Sequence, residues 1–316
     1  MKAAVYRRYG PPDVVRIEDV EKPVPRDDQV LVRIYATTIC APDWRFRKPE
    51  PFFIRLMNGL SRPKKVTVLG LEFAGIVESA GKDVTRFRAG DAVFGSMGLR
   101  FGAHAEYACV VPDKRVERKP ETMTYEEAAP IAFGGISALH FLRKAGIRPG
   151  QNVLIYGASG SVGTAAVQLA KHFGARVTAV CGAANLDLVK SLGADAVVDY
   201  TKEDFSRAGR VYDIVFDAVG KCGFRRAMRS LKRGGVLASA GLVMFGGMRA
   251  SIKGAAKVIS GVARFADGDL AFLKGLVEAG ELRTAIDRRY PLGEIAEAHR
   301  YVEAGHKKGN VVIVVE

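Results

Sequence analysis

Short apolar runs punctuated by glycine dominate this chain, and their period changes near residue 122. Over the first 120 or so residues, apolar and polar positions alternate, which predicts strands. The opening MKAAVYRRYG has this alternation. Residues 29–40 (QVLVRIYATTIC) read as a long strand and residues 71–81 (LEFAGIVESAG) as a hairpin arm. Residues 88–95 (RAGDAVFG) read as a turn feeding another strand, and residues 103–112 (AHAEYACVVP) as a strand ended by Pro112. From residue 122 the spacing becomes helical. Residues 124–142 predict one helix, with Thr124 as N-cap and Glu126 and Glu127 in its first turn. Strands and helices then alternate to about residue 260: strand 152–156, helix, strand 176–181, helix 185–193, strand 196–200, strand 213–220, helix, strand 235–241. That succession predicts an α/β chain in which a doubly wound parallel sheet follows a β-rich domain.

The most informative stretch is residues 152–174, NVLIYGASGSVGTAAVQLAKHFG. A buried apolar strand runs into Gly157, Gly160 and Gly163 at three-residue spacing and then into an alanine-rich helix opening at about Ser161. A side chain at Gly157 would obstruct the tight turn, one at Gly160 would keep the backbone off a phosphate, and one at Gly163 would hold helix from strand. The helix start offers unpaired N–H groups and a positive dipole end to an anion. With the second strand, residues 176–181, this forms a βαβ unit, so the turn, including Ser159, Ser161 and Val162, is expected to bind a dinucleotide.

The tip of that second strand holds Cys181, Gly182, Ala183, Ala184 and Asn185, without the acid that accepts hydrogen bonds from the adenosine ribose of NAD. NADP(H) is therefore the expected cofactor, with Asn185 and Tyr200 donating to its extra phosphate and Lys190 adding charge from farther off. Ala218, Val219, Gly241 and Leu242 lie at later strand ends, where open α/β sheets bind ligands.

At 316 residues the chain is long enough for two domains, each with its own core. It contains no apolar run of the roughly 18 residues that span a bilayer, and its N-terminus lacks a signal-peptide pattern. The four cysteines (Cys40, Cys109, Cys181, Cys222) form no CxxC pair, which fits a reducing cytoplasm. The charge is unusual: 48 Lys plus Arg against 34 Asp plus Glu gives +14. Arg45, Arg47, Lys48, Arg55, Arg62, Lys64 and Lys65 fall in one short segment with only Glu50 as an acid. Such a patch steers an anionic ligand, attracts RNA or an acidic membrane face, or is simply a solvated surface. Residues 244–265 carry Arg249, Lys253, Lys257 and Arg264 at wide spacing and read as a loop and helix over the nucleotide domain.

Six landmarks in order, LGLEFAGIVESAGKDVTRFRAGDAVFG, FGAHAEYACVV, AAPIAFGGISALHFL, YGASGSVGTAAVQLAKHFGA, SLGADAVVDYTKEDF and PLGEIAEAHRYVEAGHKKGNVVIVV, cover nearly the whole chain. They resemble the medium-chain dehydrogenase/reductase superfamily in its zinc-free, zeta-crystallin-like quinone oxidoreductase type. The resemblance implies a GroES-like catalytic domain of residues 1–122 and 284–316, a Rossmann domain of residues 123–283, and a homodimer formed through the edge of the nucleotide domain. It places Ser137 near the nicotinamide or phosphates and Asn310 near the nicotinamide. It also places Cys40 near a position that carries a zinc ligand in metal-dependent relatives. Leu71 stands where those relatives have the histidine of a His-Glu pair, leaving Glu72 alone, so no metal is expected.

The implied activity is NADPH-dependent hydride transfer to a small-molecule electrophile, a quinone or an α,β-unsaturated carbonyl, which accepts hydride without a Lewis acid. Alternatives are zinc-free NADP-dependent alcohol dehydrogenation, or a nucleotide-binding protein whose basic surface binds RNA or an acidic membrane. The candidate catalytic residues are Cys40, Asp43 and Arg45. Cys40 replaces the asparagine common in this group. Asp43 matches a recurrent aspartate expected to hold the loop by accepting backbone N–H bonds. Arg45 matches a substrate-facing position from which it donates to a carbonyl oxygen. Trp44 walls a planar substrate or packs the core, and His104 and His140 read as packing histidines, which leaves the final proton to water.

Overall fold

The computed structural model describes residues 1–240, 256–305 and 307–315. Two compact units emerge: Met1–Phe133 with Ala266–Glu278 and Thr284–Glu316, and Gly134–Phe265 with Ala279–Arg283.

In the first unit, β1 (Lys2–Tyr6) and β2 (Val15–Asp19) form an antiparallel ribbon. β3 (Val30–Thr38) is nearly all buried, as a strand at the centre of a sheet must be. α1 (Ala41–Arg47) and α2 (Phe53–Asn58) follow it, so the region read as strands alone also holds two short helices. Pro42 in the first turn of α1 costs nothing there, because that N–H has no intrahelical partner. β4 (Glu72–Ala80), β5 (Ala92–Ser96), β6 (Tyr107–Val110) and β7 (Val116–Arg118) complete this stretch. The strand expected over residues 103–112 is shorter because Ala103 and His104 donate to the carbonyls of Gly70 and Leu69 instead of a ladder.

The single helix expected over residues 124–142 is two, α3 (Tyr125–Ala128) and α4 (Ile131–Ala145). Pro130 lies at the break, since its ring supplies no N–H and restricts the residue before it. Thr124 caps α3: its hydroxyl accepts from Glu127 N–H (3.3 Å), and the Glu127 carboxylate accepts from Thr124 N–H (2.9 Å). The division between units falls inside α4.

The second unit is built on β8 (Asn152–Tyr156), α5 (Ser161–His172), β9 (Arg176–Cys181), α6 (Leu186–Ser191), β10 (Ala196–Asp199), β11 (Tyr212–Asp217), α7 (Phe224–Ser230), β12 (Leu231–Ser239) and β13 (Lys257–Ser260). The strands are all parallel in the order β10-β9-β8-β11-β12-β13. This is the doubly wound order, with its switch point between β8 and β11. Leu154, Val180, Val215 and Leu237, buried in adjacent strands, belong to its core.

The chain closes with α8 (Asp269–Glu278), β14 (Ile286–Pro291), α9 (Ile295–Glu303) and β15 (Asn310–Val314). β15 pairs antiparallel with β3, so the C-terminus completes the sheet of the first unit in the order β14-β15-β3-β4-β5-β7. The sequence suggests a return at about residue 284, but residues of α8 also join this unit. There α8 packs on β7, and Lys114 lies 3.9 Å from Asp267. Arg47, counted above with the basic face, is instead completely buried. Its guanidinium donates to Gly10 O and to Glu303 Oε2 (2.6 Å), tying α1 to the N-terminal loop and α9.

Candidate nucleotide site and the polar cluster of the first unit

The three glycines of the turn have three different reasons to be bare. Gly157 has φ of 76°, and a Cβ there would lie 2.7 Å from a Val219 methyl. A Cβ on Gly163 would lie 2.1 Å from Gly157 O and 2.7 Å from Ala158 backbone, so this glycine sets how closely α5 approaches the turn. Gly160 differs: its φ of −85° suits any residue, and a Cβ would find only Gly157 O, at 3.7 Å. Packing of this chain does not require a glycine there, so the bare face is left for something else.

That face lies at the start of α5, where Gly160 as N-cap provides no side-chain hydrogen bond. The first N–H groups of a helix have no intrahelical partners. Beside them the Ser161 hydroxyl is buried without a hydrogen-bond partner. An orphaned hydroxyl at a helix N-terminus next to open backbone is a fit for phosphate oxygens.

Neighbouring strand ends surround this turn. Asp217 at the end of β11 holds the following loop: one oxygen accepts from the N–H groups of Val219 (3.2 Å), Gly220 (2.8 Å) and Lys221 (3.2 Å), the other from Cys222 (3.0 Å). This loop seats Val219 against Gly157, while Ala218 N–H donates to Tyr156 O at the end of β8 (3.0 Å). At the tip of β9, Asn185 Nδ2 donates to Ser159 Oγ (3.2 Å), while Asn185 Oδ1 is buried and unpaired. Tyr200 is half exposed beside this tip, its ring 3.7 Å from where a Gly182 Cβ would stand. Cys181 is buried, and burial pushes its thiol up to about 11, so it contributes a neutral wall. Ser137 is buried on α4. Gly241 and Leu242 lie outside the described residues, as do Arg249 and Lys253.

Two acids here escaped the sequence reading. Asp217 is signalled only by a strand-end aspartate before a glycine-containing loop. Asp199, opposite Cys181 at the end of β10, accepts from Thr201 N–H (3.0 Å) and Thr201 Oγ1 (2.7 Å), which with other local hydrogen bonds hold it below the usual carboxylate range. Its second oxygen is buried without a partner.

The candidate catalytic residues belong to the first unit. Asp43 is fully buried and accepts from Cys40 N–H (2.8 Å), Cys40 Sγ–H (2.9 Å) and Gly70 N–H (2.9 Å). It fixes the start of α1 to the turn before β4. Arg45 is exposed, with its guanidinium 5.4 Å from the centre of the Trp44 ring. Trp44 is partly buried against the core of this unit. His104 is buried with Nε2 2.9 Å from Thr38 O and is held below its usual range by burial. His140 lies edge-on to Phe141. Asn310 starts β15 and donates from Nδ2 to Ala285 O (3.0 Å).

Cys40 and Glu72 are already engaged. Burial first, then the carboxylates of Asp43 and Glu72, push the Cys40 thiol well above its ordinary value, so it stays S–H. Glu72 Oε1 accepts from the Thr38 hydroxyl and Oε2 from Phe133 N–H (2.7 Å), and burial raises its carboxyl to about 8. Cys40 and Glu72 are two donors with the apolar Leu71 beside them, short of the three or four protein ligands of a zinc site. Among the described residues no group of three or more His, Cys, Asp or Glu could hold a metal ion. Native Cys40 is expected to resist iodoacetamide at pH 8 for hours and to react on unfolding. Mass spectrometry of the labelled peptide checks this, and rapid native labelling would contradict the burial argument.

The fold and the turn together define a two-unit, dinucleotide-binding protein of the dehydrogenase class. Residues 26–121 match the alcohol dehydrogenase GroES-like domain and residues 192–313 the zinc-binding dehydrogenase domain. The chain is 33% identical over 326 residues to a 2-methylene-furan-3-one reductase of Solanum lycopersicum, covering 99% of this chain and 79% of that protein. It is 32% identical over 327 residues to a chloroplastic NADPH-dependent alkenal/one oxidoreductase of Arabidopsis thaliana, with the same coverage. The quinone oxidoreductase structure from Coxiella burnetii superposes with a TM-score of 0.91 at 31% identity, covering 100% of this chain and 99% of that one. The chain belongs to the medium-chain dehydrogenase/reductase superfamily, in its quinone oxidoreductase branch.

Proposed function

We propose that this protein is a reductase that moves hydride from NADPH to a quinone or an α,β-unsaturated carbonyl without a metal ion. The observation that carries the reading is the bare backbone at Gly160 beside the orphaned Ser161 hydroxyl. It is supported by relatives whose names state NADPH-dependent reduction of alkenals and alkenones. Bound at the strand ends, the nicotinamide supplies the hydride, and the chain's own residues do the rest. The turn N–H groups and the α5 dipole hold the pyrophosphate. Asn185 and Tyr200 donate to the ribose phosphate. In the first unit Asp43 fixes the start of α1, the helix that carries Arg45, and the Arg45 guanidinium donates to developing negative charge on a substrate oxygen. An electron-poor acceptor needs no stronger electrophile than that, and water supplies the final proton.

Steady-state kinetics on quinones, 2-alkenals, alkenones and simple alcohols, each with both pyridine nucleotides, tests this. The expected result is turnover of the electron-poor acceptors with kcat/KM about tenfold or more higher for NADPH, the worth of one phosphate contact. Oxidation of simple alcohols as the main activity, or nucleotide binding without any turnover, would replace the reading by one of its alternatives. One observation favours NADH: the unpaired oxygen of Asp199 beside the β9 tip would repel a phosphate. Equal efficiency with NADH would decide for it. A homodimer belongs to the same proposal, because among the described residues β13 pairs with β12 alone and no further strand continues the sheet beyond it. Light scattering of the purified protein tests the dimer. The cytoplasmic location expected from the dispersed cysteines is likewise part of this reading; all four are free thiols.

A further inference from the structure

Helix α2 leaves most of its apolar side chains in solvent. Its inward residues are Ile54 and Asn58, one turn apart and buried, and Asn58 is fully used: Nδ2 donates to Tyr6 Oη (2.8 Å) and Val66 O (3.2 Å), and Oδ1 accepts from Val66 N–H (2.7 Å) and Lys65 N–H (3.2 Å). Tyr9 Oη donates to Gly59 O (2.7 Å) and moors its C-terminal end. Apart from Ile54, the apolar side chains of residues 52–60 face out: Phe52 is 67% exposed, Leu56 68% and Leu60 62%, with Phe53 and Met57 also exposed. Five large apolar residues exposed within nine positions form a patch, not the scattered hydrophobes of an ordinary surface.

In the same segment Lys48, Arg62, Lys64 and Lys65 are exposed, together with Arg55, which donates to Leu60 O (2.8 Å). The one acid of the segment, Glu50, is paired with Lys48 (3.3 Å). Exposed apolar side chains with exposed cations in the same segment match one surface chemically: anionic headgroups for the cations and the acyl boundary beneath for the Phe and Leu side chains. RNA would use the cations and leave the apolar residues in water. Among the described residues no helix is long and apolar enough to cross a membrane, so the contact would be peripheral.

We propose that α2 and the exposed cations of its segment dock this protein reversibly on anionic lipid bilayers. Lipid binding is separable from the reductase activity, because neither Leu56 nor the two lysines has a part in the proposed chemistry. The test is sedimentation of the full-length protein with vesicles of phosphatidylcholine alone and of phosphatidylcholine with phosphatidylglycerol, at rising salt. Expected is binding to the anionic vesicles only, weakened by salt. The double variant Lys64→Ala, Lys65→Ala should lose roughly 30-fold in partition, at about fivefold per cation. Leu56→Gln, whose side chain already faces water, should weaken lipid binding at unchanged circular dichroism and melting temperature. Three results would overturn the proposal: no preference for anionic vesicles, RNA retention that Leu56→Gln leaves intact in a protein that ignores lipid, or self-association in the absence of lipid that Leu56→Gln abolishes.

Discussion

Gly160→Ala is expected to weaken NADPH binding by roughly 30-fold or more while the apo protein unfolds as the parent does; Gly163→Ala is expected to damage the fold itself. The two substitutions add the same methyl group three residues apart, so chemistry is held constant and only the surroundings differ. At position 160 the new Cβ meets no protein atom closer than 3.7 Å, and the backbone already has φ of −85°. Alanine there restricts the unfolded chain, a gain of about 0.4–1 kcal/mol, and is a poorer N-cap than glycine, a loss of similar size. The net effect on apo stability should stay within about 1 kcal/mol. A bound pyrophosphate, however, would have to retreat from the turn N–H groups, and losing two charge-assisted hydrogen bonds accounts for a loss of about 2 kcal/mol or more.

At position 163 the methyl would lie 2.1 Å from Gly157 O, a backbone atom pinned by the turn. The helix must move off the strand, which costs about 1–3 kcal/mol or more. Calorimetric titration with NADPH and thermal unfolding of both apo variants check the pair. Unchanged NADPH affinity in Gly160→Ala would remove the assignment of this turn as the nucleotide site, whatever happens at position 163.

The same glycines show how far sequence reaches. The βαβ unit was readable because strand, turn and helix are contiguous, so local pattern and spacing carry the information. The Asp43 hydrogen bonds were readable in kind, since an aspartate five residues after the end of β3 is an ordinary loop staple. Arg47 was not. Seven basic residues in one segment look alike in a sequence, and what buries this one is Glu303, 256 positions away on α9. The break at Pro130 was present in the sequence as a proline, but the helical period on both sides outweighed it in the reading. α2 was hidden for a related reason: Phe53, Leu56 and Met57 face out while Asn58 faces in beside Ile54, so its pattern is that of neither a core helix nor a surface one. Asp199 needed tertiary information, because it reaches the β9 tip from the neighbouring strand. Local periodicity thus located the strands and helices of the nucleotide unit but not α1 and α2, and long-range contacts decided which polar residues are free.

The second large effect is expected at Glu72, where stability should fall as pH rises. This carboxyl is completely buried on β4, and burial is what raises it to about 8, against hydrogen bonds from Thr38 and Phe133 that favour the charged form. Asp43 raises it further, and Lys307 lowers it slightly. A folded value above the unfolded one means the native state keeps a proton that the unfolded chain releases. The contribution is therefore fully present below the unfolded value near 4.5, declines across the window up to about 8, and is flat beyond it. At about 1.4 kcal/mol per unit, the decline amounts to at most about 5 kcal/mol, roughly 3 of them by pH 7. Glu72→Gln mimics the protonated group, since its carbonyl can accept from Phe133 N–H and its amide can donate to the Thr38 hydroxyl. The variant should match the parent near pH 5 and exceed it by about 3 kcal/mol or more at pH 8, measured by urea unfolding at both values. Parallel pH profiles for the two proteins would show that Glu72 is ionised in the native state, and that the charge beside Cys40 is one greater than its burial implies.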